Sequence, residues 1–143
     1  MSTYPRTSYE PEPVLVDLSD QATRERLSKG GLKAFFNVVD KWKVKDEDAR
    51  KLLGGVSNGT YYKYKKNPDC VLGQDALTRI SFLIGIFKAL NILHSESLAN
   101  KWVQLPNSNR IFNNFTPLEY MLRGGTPAMQ MVRRLLDARR GGV

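Results

Sequence analysis

Asp46-Glu47-Asp48-Ala49-Arg50-Lys51-Leu52-Leu53-Gly54-Gly55-Val56-Ser57-Asn58-Gly59-Thr60-Tyr61-Tyr62-Lys63-Tyr64-Lys65-Lys66 is the stretch on which the fold turns. Its opening acids sit where a helix begins, and the positive end of the backbone dipole stabilises them there. Ala49, Leu52 and Leu53 give that short helix an apolar side, and Gly54-Gly55 end it sharply. Ser57 then stands at an N-cap position, where a hydroxyl can accept from a free backbone N–H of the next turn. Asn67-Pro68 close the second helix, because the residue before a proline avoids helical angles. Helix, tight turn and helix within about twenty residues predict a helix-turn-helix.

Working outward, Ser19 can cap a helix over residues 20–29 that stops at Gly30-Gly31, where backbone freedom makes continuation costly. A second helix then carries Leu32, Phe35, Phe36, Val39 and Trp42 at steps of three and four, which places them on one face toward the core. Downstream, residues 75–93 read as a long helix. Thr78, Ser81, Gly85, Lys88 and Asn91 make one narrow polar or small stripe on it, and apolar residues fill nearly everything else. Such a helix is buried on several sides and is the expected spine between two halves, with part of its surface available to another subunit. A short helix from Ser95 to near Trp102 follows, then a loop through Pro106-Asn107 and Asn113-Asn114. A helix over 117–122 and a last helix over 127–139 complete the chain, with Pro117 and Pro127 at first-turn positions. No strand-period alternation and no internal repeat is visible. The fold class is therefore all-α, a helix-turn-helix half and a small C-terminal helical half joined by a long central helix. The boundaries expected are a flexible arm over 1–18, a DNA-binding region over 19–74, and the central helix with the C-terminal domain over 75–143. The arm follows from Pro5, Pro11 and Pro13 among Ser, Thr, Tyr and Glu, a composition that buries too little apolar surface to offset its ordering entropy.

The chain has 143 residues, enough for one folded body of two small helical units and too few for two ordinary domains. Lys and Arg total 22 against 14 Asp and Glu, a net charge of +8 that draws polyanions or an acidic partner. Cys70 is alone and cannot form an internal disulfide, which fits a reducing cytoplasm, and without a Cys/His cluster a zinc site lacks ligands. No uninterrupted apolar run reaches the ~18 residues of a membrane span, and the first residues lack a signal-peptide hydrophobic region. Catalysis needs a positioned base, nucleophile or metal, whereas His94 and Cys70 stand apart with no companion group. His94 falls near the end of the long helix. No enzyme, cofactor or metal is expected.

The second helix of a helix-turn-helix enters the major groove with its first residues toward base edges, and basic residues around it hold the phosphates. Residues 57–66 carry that inventory. Ser57, Asn58 and Thr60 can bond bases or phosphates, Tyr61 and Tyr64 can offer hydroxyls to phosphates, and Lys63, Lys65 and Lys66 add positive charge with no acid between them. Arg50 and Lys51 join as phosphate contacts. Asn58-Gly59 stand where a long basic side chain is common at the groove-facing start, so arginine readout of guanine is missing there. A solvated lysine face over ordinary packed tyrosines uses the same residues.

Several motifs together carry a resemblance. Upstream are Trp42-x-Val44, Asp46 to Ala49, Leu52-Leu53-Gly54-Gly55-Val56-Ser57 and Tyr61-Tyr62-x-Tyr64-Lys65; downstream are Trp102 followed by Pro106-Asn107, and Phe112 to Gly125 with Pro117-Leu118-x-x-Met121-Leu122-x-Gly124-Gly125. Over residues 31–142 the chain closely resembles the Xre/MbcA/ParS antitoxins. The resemblance implies that the N-terminal half holds operator DNA and the C-terminal half holds a toxin. It implies a partner of the RES-domain kind, which consumes NAD, or a related ADP-ribosylating toxin, with the antitoxin's C-terminal region covering the toxin's active-site entrance.

On the residues themselves, Trp102 is expected to pack under its loop and Asn107 to bond backbone there. Leu118, Met121 and Leu122 are expected to face the core. On the last helix Val132, Leu135 and Leu136 can face inward, leaving Arg133, Arg134, Asp137, Arg139 and Arg140 for solvent or a partner. Arginine's planar fork pairs carboxylates bidentately and recurs at interface hot spots, although a solvated basic face has the same composition. The expected toxin contacts are Arg123, Arg133, Arg134, Asp137, Arg139, Arg140, Gly141, Gly142 and Val143, the glycines letting backbone approach closely. A homodimer is expected, because two recognition helices about one DNA turn apart read a palindrome, and it would form hetero-oligomers with the toxin. A free-standing helix-turn-helix repressor, whose C-terminal half dimerises or binds a ligand, is the alternative.

Overall fold

The computed structural model describes residues 16–141. Of the expected arm over 1–18, only its last three residues fall in that range, and Gly142 and Val143 lie outside the described residues. Six α-helices follow in order: α1 Gln21–Lys41, α2 Asp46–Leu52, α3 Asn58–Lys66, α4 Gln74–Leu93, α5 Glu96–Lys101 and α6 Pro117–Arg140. Short 3₁₀ turns at Trp102–Gln104 and Arg110–Phe112 link the last two, and no strand occurs among the described residues. The class is all-α, as the helical spacing predicts.

Helix α1 departs from expectation in two ways. Its N-cap is Asp20, whose carboxylate accepts from Thr23 N at 3.0 Å, while Ser19 is occupied with Asp17. It also runs unbroken through Gly30-Gly31. Each glycine costs a helix interior about 1 kcal/mol relative to alanine, but packing outweighs it. The position where a Cβ would stand on Gly31 is 3.6 Å from Ile80 and 3.8 Å from Leu77 of α4, so this stretch is pressed onto the central helix. Leu32, Phe35, Val38, Val39 and Trp42 continue the same face as fully buried core.

Helix α4 is the spine. It packs on α1 along one side, on α6 along another and on α5 at its end, and Leu83, Ile86, Ala89 and Leu90 are fully buried. By length and apolar content α4 alone among the described helices could cross a membrane, although Thr, Ser, Lys and Asn residues interrupt its apolar run. Here a third of that stretch is buried against the neighbouring helices. Its expected small-residue stripe is partly roofed: the Arg133 guanidinium lies directly over Gly85, so near that a methyl group there would displace it.

One buried polar group ties α1 to the segment before α4. Ser28 Oγ donates to Arg24 O at 2.6 Å and accepts from Leu72 N at 2.9 Å, in a buried setting. Ser28→Ala should therefore cost about 1–3 kcal/mol in urea unfolding, since it strands the Leu72 N–H away from water; an unchanged midpoint would contradict that role.

The last long helix is two helices in one. Thr116 forms a capping box with Glu119, its hydroxyl accepting from Glu119 N at 3.1 Å while the Glu119 carboxylate accepts from Thr116 N at 3.0 Å. Pro117 takes the first helical position. Gly125 then adopts φ 66° and ψ −148°, which breaks the helix, and Pro127 sits just inside the restart. The expected division into a helix from Pro117 and another from Pro127 is thus present as a kink.

Candidate nucleic-acid and partner interfaces

The helix-turn-helix is α2, a turn and α3. Gly54 and Gly55 hold φ of 105° and 86°, the left-handed region that favours glycine, and their N–H groups donate back to Lys51 O and Arg50 O at 2.9 Å each. Arg50 straps the same turn, its Nε donating to Val56 O at 3.0 Å. Its guanidinium therefore supports the turn from a half-buried position. Ser57 caps α3 as expected, accepting from Thr60 N at 3.1 Å and donating to the Thr60 hydroxyl at 3.0 Å. Both polar groups are engaged within the cap.

Helical phase separates the tyrosines. Tyr61 is 1% exposed, with its ring edge-on to Phe36 at 5.5 Å, and Tyr64 is half-buried. Tyr61 therefore belongs to the core, which corrects its expected place as a phosphate contact. The exposed member is Tyr62, which sequence reasoning left out of the DNA-facing set although three-residue spacing puts Tyr61 and Tyr64 together on the inner side. On the outer side stand Asn58, Tyr62, Lys63, Lys65 and Lys66, with exposed Lys51 on α2. Asp46 at the start of α2 gathers this surface: its carboxylate accepts from Tyr62 at 3.0 Å and Tyr61 at 3.4 Å, and Lys65 lies 3.9 Å away.

That burial, reinforced by the Asp46 charge and hydrogen bond, pushes the Tyr61 phenol up to about 12. An unfolded tyrosine ionises at about 10, so above that pH the unfolded chain loses a proton that the folded chain keeps. Stability contributed by this group is full below pH 10 and is lost as pH rises toward 12, with a slope of up to about 1.4 kcal/mol per pH unit. Urea midpoints measured across this interval should fall more steeply for the native chain than for Tyr61→Phe. Parallel slopes would contradict the assignment.

The C-terminal half is built on aromatic packing. Trp102 and Phe112 meet edge-on at 6.0 Å, and Phe112 meets Tyr120 at 5.3 Å. Trp102 is buried under the loop, and Asn107 accepts from Asn109 N at 2.9 Å, so both play the packing roles expected of them. Leu118 and Met121 are buried and Leu122 half-buried.

Among the expected toxin contacts, Arg123 is exposed with its guanidinium 4.3 Å from the Phe115 ring centroid, a cation–π arrangement that fixes its direction. Arg133 is held more firmly. It lies on Gly85, and its Nε donates to Asp137 at 3.0 Å, while Arg140 approaches the same carboxylate at 3.8 Å. Arg134 and Arg139 are exposed and have no ion-pair partner among the described residues. Gly141 is exposed. Residues 137–141 are all exposed, including Arg139, which lies two turns beyond fully buried Val132 on the same side of the helix. The end of α6 has run out past the core.

Among the described residues no group of His, Cys, Asp and Glu is placed to hold a metal ion. Comparison with known proteins agrees with the two-part architecture. Residues 19–85 match the family described as "Antitoxin Xre-like helix-turn-helix domain", and residues 88–142 match "Antitoxin Xre/MbcA/ParS C-terminal toxin-binding domain". The protein described as uncharacterized protein y4oB of Sinorhizobium fredii (strain NBRC 101917 / NGR234) is 38% identical over 112 residues, which cover 78% of this chain and 84% of that relative. No solved structure matches. With a DNA-binding fold at one end, a helix projecting from the other, and both halves matched in order, the chain belongs to the Xre/MbcA/ParS antitoxins, binding proteins of type II toxin-antitoxin modules rather than enzymes.

Proposed function

We propose that this antitoxin neutralises a RES-type, NAD-degrading toxin by seating the end of α6 in the entrance of the toxin's active site. The observation that carries the reading is the projecting last turn, where residues 137–141 are exposed beyond the core and Arg139, with Arg134 one turn before it, has no ion-pair partner among the described residues. Arginine suits such a task because its fork can satisfy carboxylates in a closed pocket. Arg123, held over Phe115, adds a second anchor whose geometry is set before the partner arrives, which lowers the ordering cost of binding. Expression of the chain beside its genomic neighbour tests this. Cellular NAD should collapse when the neighbour is expressed alone and stay normal when both are made; equal NAD loss in both cases would refute the assignment.

The same protein represses its own operon in this reading, as a homodimer whose two α3 helices enter successive major grooves about one turn apart. Exposed Lys51, Lys63, Lys65 and Lys66 supply the phosphate contacts, and Asn58 and Tyr62 flank the groove-facing start. Asp46 is already shared between Tyr62 and Lys65, so it orients both before DNA arrives. Replacing Lys63, Lys65 and Lys66 together by alanine should weaken operator binding and flatten its salt dependence, by about 0.9 in log–log slope for each phosphate no longer neutralised. Binding titrations at several salt concentrations measure it. An unchanged slope would place the operator on another surface.

A further inference from the structure

Gly85 is buried in the middle of α4, in ordinary helical geometry, where no turn or positive φ calls for a glycine. Alanine would suit the helix better. What the missing side chain leaves is room for Arg133. The three atoms nearest to the place of a Cβ there all belong to its guanidinium, and the farthest of them, Nε, is only 2.8 Å away. Arg133 is accordingly drawn down from α6 onto the spine, with 35% of its side chain exposed.

From Arg133 a line of pairs runs outward along one edge of α6, at the spacing of four and then three residues that makes helix neighbours. Its Nε donates to Asp137 Oδ2 at 3.0 Å, and Arg140 lies 3.8 Å from the other oxygen of that carboxylate. The main-chain oxygen of Asp137 accepts from Gly141 N at 3.0 Å, which closes the last turn. Asp137 and Arg140 are exposed and follow Leu136, the last fully buried side chain of the helix. Core packing therefore does not set their direction. The tie back to the spine is Arg133, whereas its neighbour Arg134 is exposed with no ion-pair partner among the described residues.

We infer that Gly85 is a positioning residue for toxin binding: it seats Arg133 on the spine, and Arg133 in turn fixes the Asp137 carboxylate and the direction of Arg140. The inference rests on the reading that the exposed end of α6 meets the toxin. Gly85 itself is buried and acts through the arginine. A long side chain already held in one direction loses less freedom when a partner closes on it, a difference of up to about tenfold in affinity. Gly85→Ala should thus do two things that rarely go together. It should leave the fold as stable as before or more so, because only the movable end of a side chain has to shift and alanine favours the helix. It should also loosen the toxin complex.

The test compares the full-length chain with Gly85→Ala, Arg133→Ala and the double variant, each titrated with the purified toxin of the neighbouring gene and each unfolded in urea. Gly85→Ala should weaken binding by about tenfold while its urea midpoint holds or rises. Adding Gly85→Ala to Arg133→Ala should change nothing further, since the seat acts only through the arginine. A second readout needs no toxin. In the chain labelled with nitrogen-15, the Nε–H signal that Arg133→Ala removes should exchange slowly with water in the native protein and quickly in Gly85→Ala. The inference is overturned if Gly85→Ala binds as tightly as the native chain, if its midpoint falls in step with its affinity, if the double variant sums the two losses, or if Nε–H exchange is the same in both chains. Should the native chain itself fail to bind that toxin, the toxin reading of α6 falls by that result, and the exchange measurement still decides whether Gly85 seats Arg133.

Discussion

Removal of residues 137–143 should leave a folded protein that no longer neutralises its toxin. Leu136 is the last fully buried side chain of α6, and every described residue after it is exposed. The truncation removes only the partly exposed pairs from Asp137 to Arg133 and Arg140, at 3.0 and 3.8 Å. Exposed pairs contribute about 0–1 kcal/mol each, so the unfolding midpoint should hardly change. Inhibition should change a great deal. Interface arginines that fill a partner's pocket cost about 2 kcal/mol or more when removed, and loss of Arg139 and Arg140 together should weaken inhibition by at least about a hundredfold. The cut has to fall after Leu136, because a cut before Arg133 would also take Leu135 and Leu136 and leave Gly85 without its roof. Retained potency in a folded truncated protein would remove the end of α6 from the mechanism.

Phe112→Ala should cost about 3–5 kcal/mol of unfolding free energy, the range for a large aromatic deleted from a packed core. Phe112 is fully buried and sits between the rings of Trp102 and Tyr120, at 6.0 and 5.3 Å. No other described aromatic bridges the loop and the start of α6 in this way. The loss should appear in urea unfolding and should carry toxin binding down with it, since Tyr120 and the Arg123 anchor stand on the same short helix. A loss under about 1 kcal/mol would mean that the site collapses freely and that the aromatic trio does not hold the domain.

Much of this architecture was legible in the chain because its signals are local. Ser57 ahead of its helix, Gly54-Gly55 after Leu53, and Pro117 in a first turn are cap and turn chemistry, and each reads the same in the structure. The break expected at Gly30-Gly31 is absent because its outcome is not local: two side chains of α4, distant in sequence, press on that stretch and keep it helical. The tyrosines show the same limit in miniature. Composition suggests Tyr61 and Tyr64 as the DNA-facing pair, but helical phase sends Tyr61 inward and Tyr62 outward, with Asp46 accepting from both.

The arginine-rich end divides for a similar reason. Arg133 looks equivalent to Arg134 in sequence, yet it is drawn down onto a glycine of the spine and paired with Asp137, whereas Arg134 and Arg139 stay in solvent. Nothing near Arg133 in the chain marks Gly85 as its seat.

The most direct measurement is NAD consumption by the purified product of the neighbouring gene, followed as this antitoxin is added in increasing ratio. The account predicts that consumption falls to nothing once the antitoxin reaches the toxin's concentration, and that the chain ending at Leu136 leaves it nearly untouched. Undiminished consumption in the presence of excess full-length antitoxin would contradict it.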